Sequence, residues 1–143
     1  MSDKKITIEQ IDDGIPAPSY ALAGDAGLDC YSTISTTLAP NEITRVPLGI
    51  KMQLPSGTAA LVLSKSGLAS RQGLVSIVGL VDSGYRGEIQ MIARNDSETP
   101  IEIQRGQKVC QIMVIDVPQV SVEYGQVNDK TERGSDGFGS TGI

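Results

Sequence analysis

Carboxylates set in glycine- and serine-rich segments are the first candidates for chemistry in this sequence. Asp29 lies in AGDAGLDCYS (23–32), and Asp82 lies in VGLVDSGYRGEIQ (78–90). The sequence contains no histidine, which excludes Ser-His-Asp and Cys-His catalysis and any histidine-ligated zinc. Acid–base chemistry therefore falls to Asp, Glu, Tyr, Lys or an activated water molecule.

Three further segments carry more Gly, Ser or polar residues than strands require. They are LSKSGLASRQG (63–73), RGQKVCQIMV (105–114) and the tail RGSDGFGSTG (133–142). Gly and Asp also cluster in ordinary β-turns, and DSGYRG alone is compatible with a simple hairpin. Each segment by itself is weak evidence for a site, but the joint occurrence and order of all five favour one.

The tail contains Phe138, which is the only Phe in the sequence and lies between Gly137 and Gly139. A large aromatic side chain normally anchors a core, because it buries a large apolar area. The segment around Phe138 has no hydrophobic neighbour except Ile143. We therefore expect Phe138 to act somewhere other than in the core of its own chain.

The segments that must position these residues have the period of β-strands. In RVPLGIKMQLP the apolar residues alternate from Val46 to Leu54, which is typical of a strand with one buried face. SGLASRQG allows a helical turn or two at most. Many short strands separated by close turns predict an all-β, jelly-roll-like sandwich or barrel. Further strand candidates, rich in Val and Ile, are KKITIEQ, TAALVLS, EIQMIAR, PIEIQ, KVCQIMVIDV and VSVEYGQV.

Length and composition predict one domain with a terminal arm. The 143 residues suffice for a core, which aliphatic side chains must fill because the sequence has four Tyr, one Phe and no Trp. Near Asn128 the composition becomes polar and Gly-rich. We predict a β domain over residues 1–127 and a flexible C-terminal arm over residues 128–143.

Charge and cysteine usage exclude several classes of partner. A formal charge of −5 argues against binding to nucleic acid or to a membrane surface, since both need a basic face. No apolar run is long enough to cross a bilayer, and MSDKKITIEQ has no signal-peptide core. Cys30 and Cys110 stand singly, so we expect buried free thiols and a cytoplasmic protein.

Taken in order, the five segments resemble the motifs of the trimeric dUTP pyrophosphatases (dUTPases) over nearly the whole chain. AGLDCYS resembles the first motif, SKSGLAS the second, GLVDSGYRGEI the third, GQKVCQIMV the fourth and RGSDGFGSTG the fifth. The resemblance implies an all-β jelly roll that forms a homotrimer. It also implies three active sites between subunits, each closed by the tail of a neighbouring chain.

The same resemblance implies hydrolysis of dUTP to dUMP and pyrophosphate, by attack of water on the α-phosphorus with Mg²⁺ on the triphosphate. Such a reaction limits uracil incorporation into DNA and supplies dUMP for thymidylate synthesis. Asp82 matches the aspartate that activates the water, and Asp29 matches the acid that holds water ligands of Mg²⁺, a cation that keeps much of its hydration. The positions that match phosphate contacts are Lys65, Ser66, Gly67 and Gln111. For Gln111 the alternative is a buried amide paired with a neighbouring strand.

Four positions in or just before the third motif match residues that select the nucleotide. Tyr85 matches a tyrosine whose ring packs on the deoxyribose and leaves no room for a 2′-hydroxyl; an ordinary hairpin residue is the alternative. Uracil is read largely by backbone groups of the third-motif hairpin, where Ser76, Gly79 and Val81 lie. A tight pocket there would exclude the thymine methyl group, and unpaired polar groups would penalise cytosine.

By the same resemblance, the tail folds over the bound nucleotide. Phe138 would stack on uracil, an interaction worth about 1–3 kcal/mol per base in nucleic-acid binders. Arg133 would face the phosphates as a charge-assisted donor. Gly139 and Ser140 would belong to a phosphate-cradling loop that lacks the Walker lysine. The alternative is a disordered chain end.

Three positions depart from the family pattern. Lys65 stands where the second motif usually begins with Arg; it keeps the charge but loses the planar fork, so we expect weaker phosphate clamping. Ser76 stands where many bacterial members have an Asn that contacts the base. Asp136 stands where Gly is frequent, and it adds a negative charge beside the expected phosphate site.

Three other functions stay open at this stage. A dCTP deaminase, or a bifunctional deaminase–dUTPase, shares the fold, but the complete third motif with Tyr85 and the Gly-Phe-Gly tail favour the plain dUTPase. A nucleotide-sensing regulator could keep every catalytic residue, so an unidentified protein partner also stays open. A purely structural jelly roll would not need Asp29, Ser66, Asp82, Tyr85 and Phe138 together.

Overall fold

The computed structural model describes residues 4–142. Within that range the chain forms short strands and one short helix, which confirms the all-β fold. In chain order the elements are β1 (Thr7–Gln10), β2 (Leu28–Tyr31), β3 (Thr36–Leu38), β4 (Ile43–Pro47), β5 (Ile50–Gln53), β6 (Thr58–Ser64), α1 (Ser66–Gln72), β7 (Leu74–Ile77), β8 (Gly79–Asp82), β9 (Gln90–Asn95), β10 (Ile101–Ile103) and β11 (Lys108–Asp116).

The strands of the described residues pair antiparallel in four sheets. The largest sheet has the order β2–β11–β6–β8, and a second has the order β4–β9–β7. The pairs β1–β5 and β3–β10 complete the set. None of these sheets closes into a barrel, so the fold is a jelly-roll-like arrangement of open antiparallel sheets.

The core is aliphatic, as the composition requires. Leu48, Ile50, Met91 and Ile112 are among its fully buried members, together with Cys110. Transfer of such side chains from water is the main stabilising contribution to a small β domain. Cys30 and Cys110 are confirmed as buried free thiols, and they are direct register partners on β2 and β11. The contact with Cys30, together with burial, raises the pKa of the Cys110 thiol.

The alternating run from Val46 to Leu54 forms two strands instead of one. Its five apolar residues are all buried, as predicted, but β4 ends at Pro47 and β5 begins at Ile50. Gly49 makes the corner with a φ of 71°, and an added Cβ there would lie 2.7 Å from the Thr33 side chain. The period of 2 therefore reports which face is buried, although the chain changes sheets within the run.

Most of the other predicted strands are confirmed. KKITIEQ, TAALVLS, EIQMIAR, PIEIQ and KVCQIMVIDV contain β1, β6, β9, β10 and β11, and SGLASRQG forms the two turns of α1. The strands without a sequence prediction, β2, β3, β7 and β8, are three or four residues long.

The strand predicted for VSVEYGQV is wrong. No strand or helix occurs between residues 117 and 142, and Val120, Val122 and Tyr124 are strongly exposed. The sequence has the period of a strand, but a strand needs a partner for its backbone hydrogen bonds. The described part of the chain offers no such partner to this segment.

The helix α1 is fixed at its C-terminal end by the loop that follows β9. Gly73 ends the helix in the left-handed region, with a φ of 75°, and its N–H donates to Ala69 O at 3.2 Å. The Gly73 carbonyl accepts from Asp96 N at 2.8 Å. The loop thus sets the position of the second motif, whose residues begin the helix. In the described residues, no helix has the length and apolar character that a membrane crossing needs.

Asn95 holds that loop in place from inside the protein. Its side chain is fully buried, and Nδ2 donates to Leu38 O at 3.0 Å and to Thr99 O at 2.8 Å. Its Oδ1 accepts from Ser97 N and Ser97 Oγ, both at 2.8 Å. Every hydrogen-bonding position of the amide is used, so the loop depends on this one side chain.

Asn95→Ala should therefore destabilise the fold by about 2–4 kcal/mol, because several buried partners lose their hydrogen bonds at once. The measurement is the free energy of unfolding in urea. The matched control is the exposed Glu98→Ala in the same loop, which should stay within about 0.5 kcal/mol of the parent. An Asn95→Ala protein as stable as the control would show that the loop does not depend on the amide.

Candidate active site

Asp29 is the centre of a first group of motif residues. It lies on β2, and the residue is only 3% exposed. Its Oδ1 accepts from Lys65 Nζ at 2.5 Å, and its Oδ2 forms an ion pair with Lys108 Nζ at 3.0 Å. Burial alone would raise the pKa of Asp29, but the hydrogen bonds from the two lysines outweigh it and hold the pKa below its usual range.

Gln111 lies beside Asp29, because the two are register partners on β11 and β2. Its Nε2 donates to Ser64 O at 2.9 Å, so the paired amide that the sequence offered as an alternative is present. Its Oε1 lies against Gly27, where an added Cβ would be 2.2 Å away. The glycine of the first motif therefore leaves room for the glutamine of the fourth, and both Asp29 and Gln111 are held in fixed positions.

The second motif begins at the edge of this group. Ser66 and Gly67 are exposed at the start of α1, directly after Lys65. A cavity of about 320 Å³ lies here. The first, second and fourth motifs therefore meet at one place, which carries several cationic side chains and exposed small residues. The cavity is lined by Lys65, Gly67, Leu68, Arg71, Gln72 and Lys108.

Asp82 and Tyr85 form a second group, at the end of β8. A tight turn follows the strand, in which Tyr85 N donates to Asp82 O at 3.1 Å. The Asp82 residue is exposed. The Tyr85 hydroxyl donates to Glu88 O at 3.1 Å, and its ring lies over Gly87, where an added Cβ would be 2.4 Å from Oη. Gly87 thus allows the position that the Tyr85 ring takes.

A second cavity, of about 270 Å³, opens beside Tyr85. It combines apolar walls with the carboxylate of Asp82, a composition that suits a small planar ligand with a polar end. Its lining residues are Arg45, Val62, Gly79, Leu80, Val81, Asp82, Tyr85, Ile89, Gln90 and Ile92.

Of the three residues expected together in the third-motif hairpin, Ser76 lies on a different strand from the other two. Ser76 lies on β7, which pairs with β9, whereas Gly79 and Val81 lie on β8, which pairs with β6. The two strands diverge after one linking residue and do not pair with each other in the described residues. Ser76 is buried, and its Oγ donates to Ile77 O at 3.3 Å. Its side chain therefore does not line the cavity beside Tyr85.

The fifth-motif residues lie apart from both groups. Phe138 is fully exposed and has a positive φ of 52°, which is unusual for a bulky residue. Arg133 Nη1 donates to Asp136 O at 3.1 Å. Gly139 and Ser140 are also exposed. The structure confirms that Phe138 does not belong to the core, but it places the tail over neither group of its own chain.

The register of the large sheet separates the two groups. Asp82 pairs with Ala59 on β6, while Asp29 and Gln111 align with Leu63 on the same strand. Four residues along a strand span about 13 Å, and the three strand spacings from β2 to β8 span about 14 Å. The two carboxylates are therefore about 20 Å apart on a flat sheet, too far to serve one phosphate group together.

Both groups nevertheless face the same side of that sheet, because directly paired residues share a face. Between them lies an apolar strip, which we call the outer strip and which is partly or fully open to solvent. Leu80, for example, is 67% exposed. The strip consists of Leu61, Leu63, Leu80, Met113 and Ile115.

Sequence reasoning missed two residues that shape the groups. Lys108 binds Asp29 although it lies 79 positions away in the chain, and Gly87 supports the Tyr85 ring. The sequence offered a signal for each residue, since Lys108 lies inside the fourth motif segment and Gly87 inside the third. The sequence alone does not predict the pairing of β2 with β11 or the position of the Tyr85 ring.

Known proteins are similar to this chain over nearly its whole length. A family model described as dUTPase matches residues 13–142. The chain belongs to the dUTPase family. The deoxyuridine 5'-triphosphate nucleotidohydrolase of Gloeobacter violaceus is 38% identical, and the match covers 99% of each protein. That of Nocardia farcinica is 43% identical over 96% of this chain and 85% of the relative.

Solved structures of phage dUTPases share the fold. The dUTPase of Staphylococcus bacteriophage 80alpha, solved with dUpNHpp, aligns with a TM-score of 0.92 at 22% identity and covers 97% of this chain and 99% of its own. The dUTPase of phage phi11 of S. aureus aligns with a TM-score of 0.82 at 19% identity over 89% of this chain and 99% of its own. Near-complete coverage of both chains shows that the jelly-roll-like fold is that of dUTPases.

Proposed function

We propose that this chain hydrolyses dUTP to dUMP and pyrophosphate. Membership of the dUTPase family supports the reaction, as do relatives of nearly the same length that carry the name deoxyuridine 5'-triphosphate nucleotidohydrolase. The structural observation that carries the proposal is the gathering of the motif residues into two groups. One group holds a buried carboxylate among cations, and the other holds a carboxylate beside a nucleoside-sized cavity.

The complete site forms between copies of the chain. Within one chain Asp29 and Asp82 are about 20 Å apart by strand spacing, so the second group of one subunit must meet the first group of another. The outer strip supports this association, since exposed apolar patches commonly mark interfaces. A cyclic homotrimer would bring the two groups together three times by one repeated, head-to-tail contact.

The chemistry falls to Asp82. Its exposed carboxylate accepts a proton from a water molecule, and this raises the nucleophilicity of the oxygen that attacks the α-phosphorus. The bond from the α-phosphorus to the bridging oxygen then breaks, and pyrophosphate leaves. In phosphoryl transfer the remaining contribution of a protein is positioning and charge stabilisation. Lys65, Ser66, Gly67 and Gln111 of the first group would supply this.

The residues around Asp29 fit a hydrated magnesium ion. A buried carboxylate with two ammonium groups on it is a position that requires positive charge. The described residues contain no cluster of three or more Asp, Glu, Cys or His side chains that could enclose a metal. One carboxylate suits Mg²⁺ held mainly by water and by the triphosphate, and the phi11 dUTPase is described as coordinating a structural Mg(II) ion. When bound, the ion would neutralise charge on the triphosphate.

The cavity beside Tyr85 would select the nucleoside. The tip of the Tyr85 side chain lies against Gly87 and the residue is 47% exposed, so the side chain is accessible to deoxyribose. β8 is the edge strand of its sheet, and an edge strand has unpaired backbone donors and acceptors on one side. Backbone groups of Gly79 and Val81 can therefore read uracil, while the buried Ser76 is bonded to β6, with its N–H donating to Ser64 Oγ at 2.8 Å.

The tail would close over the nucleotide. Phe138 is an apolar ring without contacts in its own chain's core, and stacking on a base would give it a partner. Arg133 would reach the phosphates, with Gly139 and Ser140 in the loop that follows. Closure excludes water from the reacting centre, apart from the nucleophile, and strengthens every charge interaction within it.

Pyrophosphate release from dUTP, UTP, dCTP and dTTP, with and without Mg²⁺, tests the reaction. We expect magnesium-dependent release from dUTP alone. Asp82→Asn should lower kcat by about 10²–10⁴-fold, the range for loss of a general base, and should still bind dUpNHpp. Ammonia release from dCTP would instead identify a deaminase, and binding of dUTP without turnover in the parent would favour a regulator.

Refolding two inactive variants together tests the shared site. Asp29→Asn and Asp82→Asn each inactivate a different group, so separate homotrimers should be inactive. In trimers refolded from a 1:1 mixture of the two variants, about one quarter of all sites would combine the intact Asp82 of one subunit with the intact Asp29 of another. Activity near that fraction of the parent is expected. A site built within one chain would recover no activity at any mixing ratio.

Gly87→Ala tests the support of the Tyr85 ring. The added methyl group would overlap Tyr85 Oη and displace the ring. The ratio of kcat/KM for UTP to kcat/KM for dUTP should therefore rise at least about 10-fold. Gly84→Ala is the matched control, since an added Cβ there meets nothing within 4 Å. If both variants reject UTP as the parent does, the sugar is selected elsewhere.

A further inference from the structure

Lys108 is a cationic residue of the first group that is not among the residues expected to contact phosphate. It lies at the start of β11, and its side chain is 42% exposed while its ammonium reaches the nearly buried Asp29. The hydrogen bond to Asp29 raises the pKa of Lys108. Lys65 already occupies the other carboxylate oxygen at 2.5 Å. Asp29 therefore has both oxygens paired with cations of its own chain.

A buried carboxylate without a counter-charge is costly, because desolvation penalises the ionised form. The two lysines remove that cost in the metal-free protein, and they do so with N–H donors. Water ligands of a magnesium ion offer the same type of contact, since they carry positive charge and donate hydrogen bonds to a carboxylate. The ammonium groups and the hydrated ion would thus compete for the same two oxygen atoms.

We propose that Lys108 is a positioning residue that serves as an internal counter-ion of Asp29: it occupies Oδ2 in the metal-free chain and releases it when substrate and its magnesium bind. Of the two lysines, Lys108 has the longer contact, 3.0 Å, and the more exposed side chain. Its release therefore costs less than that of Lys65. This inference rests on the proposed function, and it adds the exchange of one cation for another.

The exchange also explains how the first group stays folded without a ligand. Asp29 is centred among β2, β11 and the start of α1, so an unpaired charge there would disturb three elements that carry motif residues. With Lys108 on Oδ2 the carboxylate keeps its position, and the site is ready before the metal arrives. A freed Lys108 ammonium would enter the adjacent cavity of about 320 Å³, which is open to solvent and to the phosphates.

The test is Lys108→Gln, with Arg71→Gln as the matched control. Arg71 lines the same cavity and loses the same charge, but the structure shows no bond from it to Asp29. Two readouts are measured on the full chain: the thermal unfolding midpoint without metal, and the Mg²⁺ concentration that half-saturates dUpNHpp binding in calorimetry. Lys108→Gln should lower the midpoint and should lower the half-saturating Mg²⁺ concentration at least three-fold. Arg71→Gln should change neither by as much.

Several outcomes would overturn the proposal. An unchanged or higher Mg²⁺ requirement in Lys108→Gln would show that Lys108 does not compete with the ion. An equal effect of Arg71→Gln would assign the change to the general field of the cavity. If the parent hydrolyses dUTP while either result is seen, only this inference fails. If the parent neither hydrolyses dUTP nor binds dUpNHpp with Mg²⁺, the proposed function fails with it.

Discussion

The antiparallel register of the four-stranded sheet is the constraint on which the site depends. Pairing of β2 with β11 brings Asp29 and Gln111 side by side, and pairing of β6 with β8 places Asp82 at the opposite corner. Because side chains alternate between faces, a slip of one residue in either pair would turn these groups into the core. Cys30 and Cys110 are the next residues along the two strands and both are buried in the core. A slip of one residue would exchange their positions with those of Asp29 and Gln111.

Close backbone approach is the second requirement, and glycines meet it at two places. Gly27 lets the Gln111 side chain lie against the backbone just before β2, and Gly87 lets the tip of the Tyr85 side chain lie against its own turn. In both cases an added Cβ would meet a functional side chain, not the scaffold. These glycines therefore determine the orientation of Gln111 and Tyr85. A larger side chain at either glycine would displace the site residue even if the fold were kept.

Particular residues show how far the sequence predicted this structure. The buried face from Val46 to Leu54 was predictable, because period 2 depends only on which side chains face the core. The break at Gly49 was not, because it depends on contacts with Thr33 and Asp12 elsewhere in the chain. The five motif segments were recognisable by type and order. Their separation into two groups follows from long-range strand pairing, which no local pattern contains.

The error at VSVEYGQV has the same origin and points to what one chain lacks. Its alternating Val120, Val122 and Tyr124 have the pattern of a strand that buries one face, yet within a single chain they are exposed. The outer strip is partly open to solvent as well, with Leu80 exposed, and Phe138 is fully exposed. Exposed apolar surface at three separate places is costly in water and is rarely kept without a partner. The sequence pattern and the structure of the single chain agree if VSVEYGQV, the outer strip and the Phe138 ring each meet a partner only in an assembled, nucleotide-bound protein.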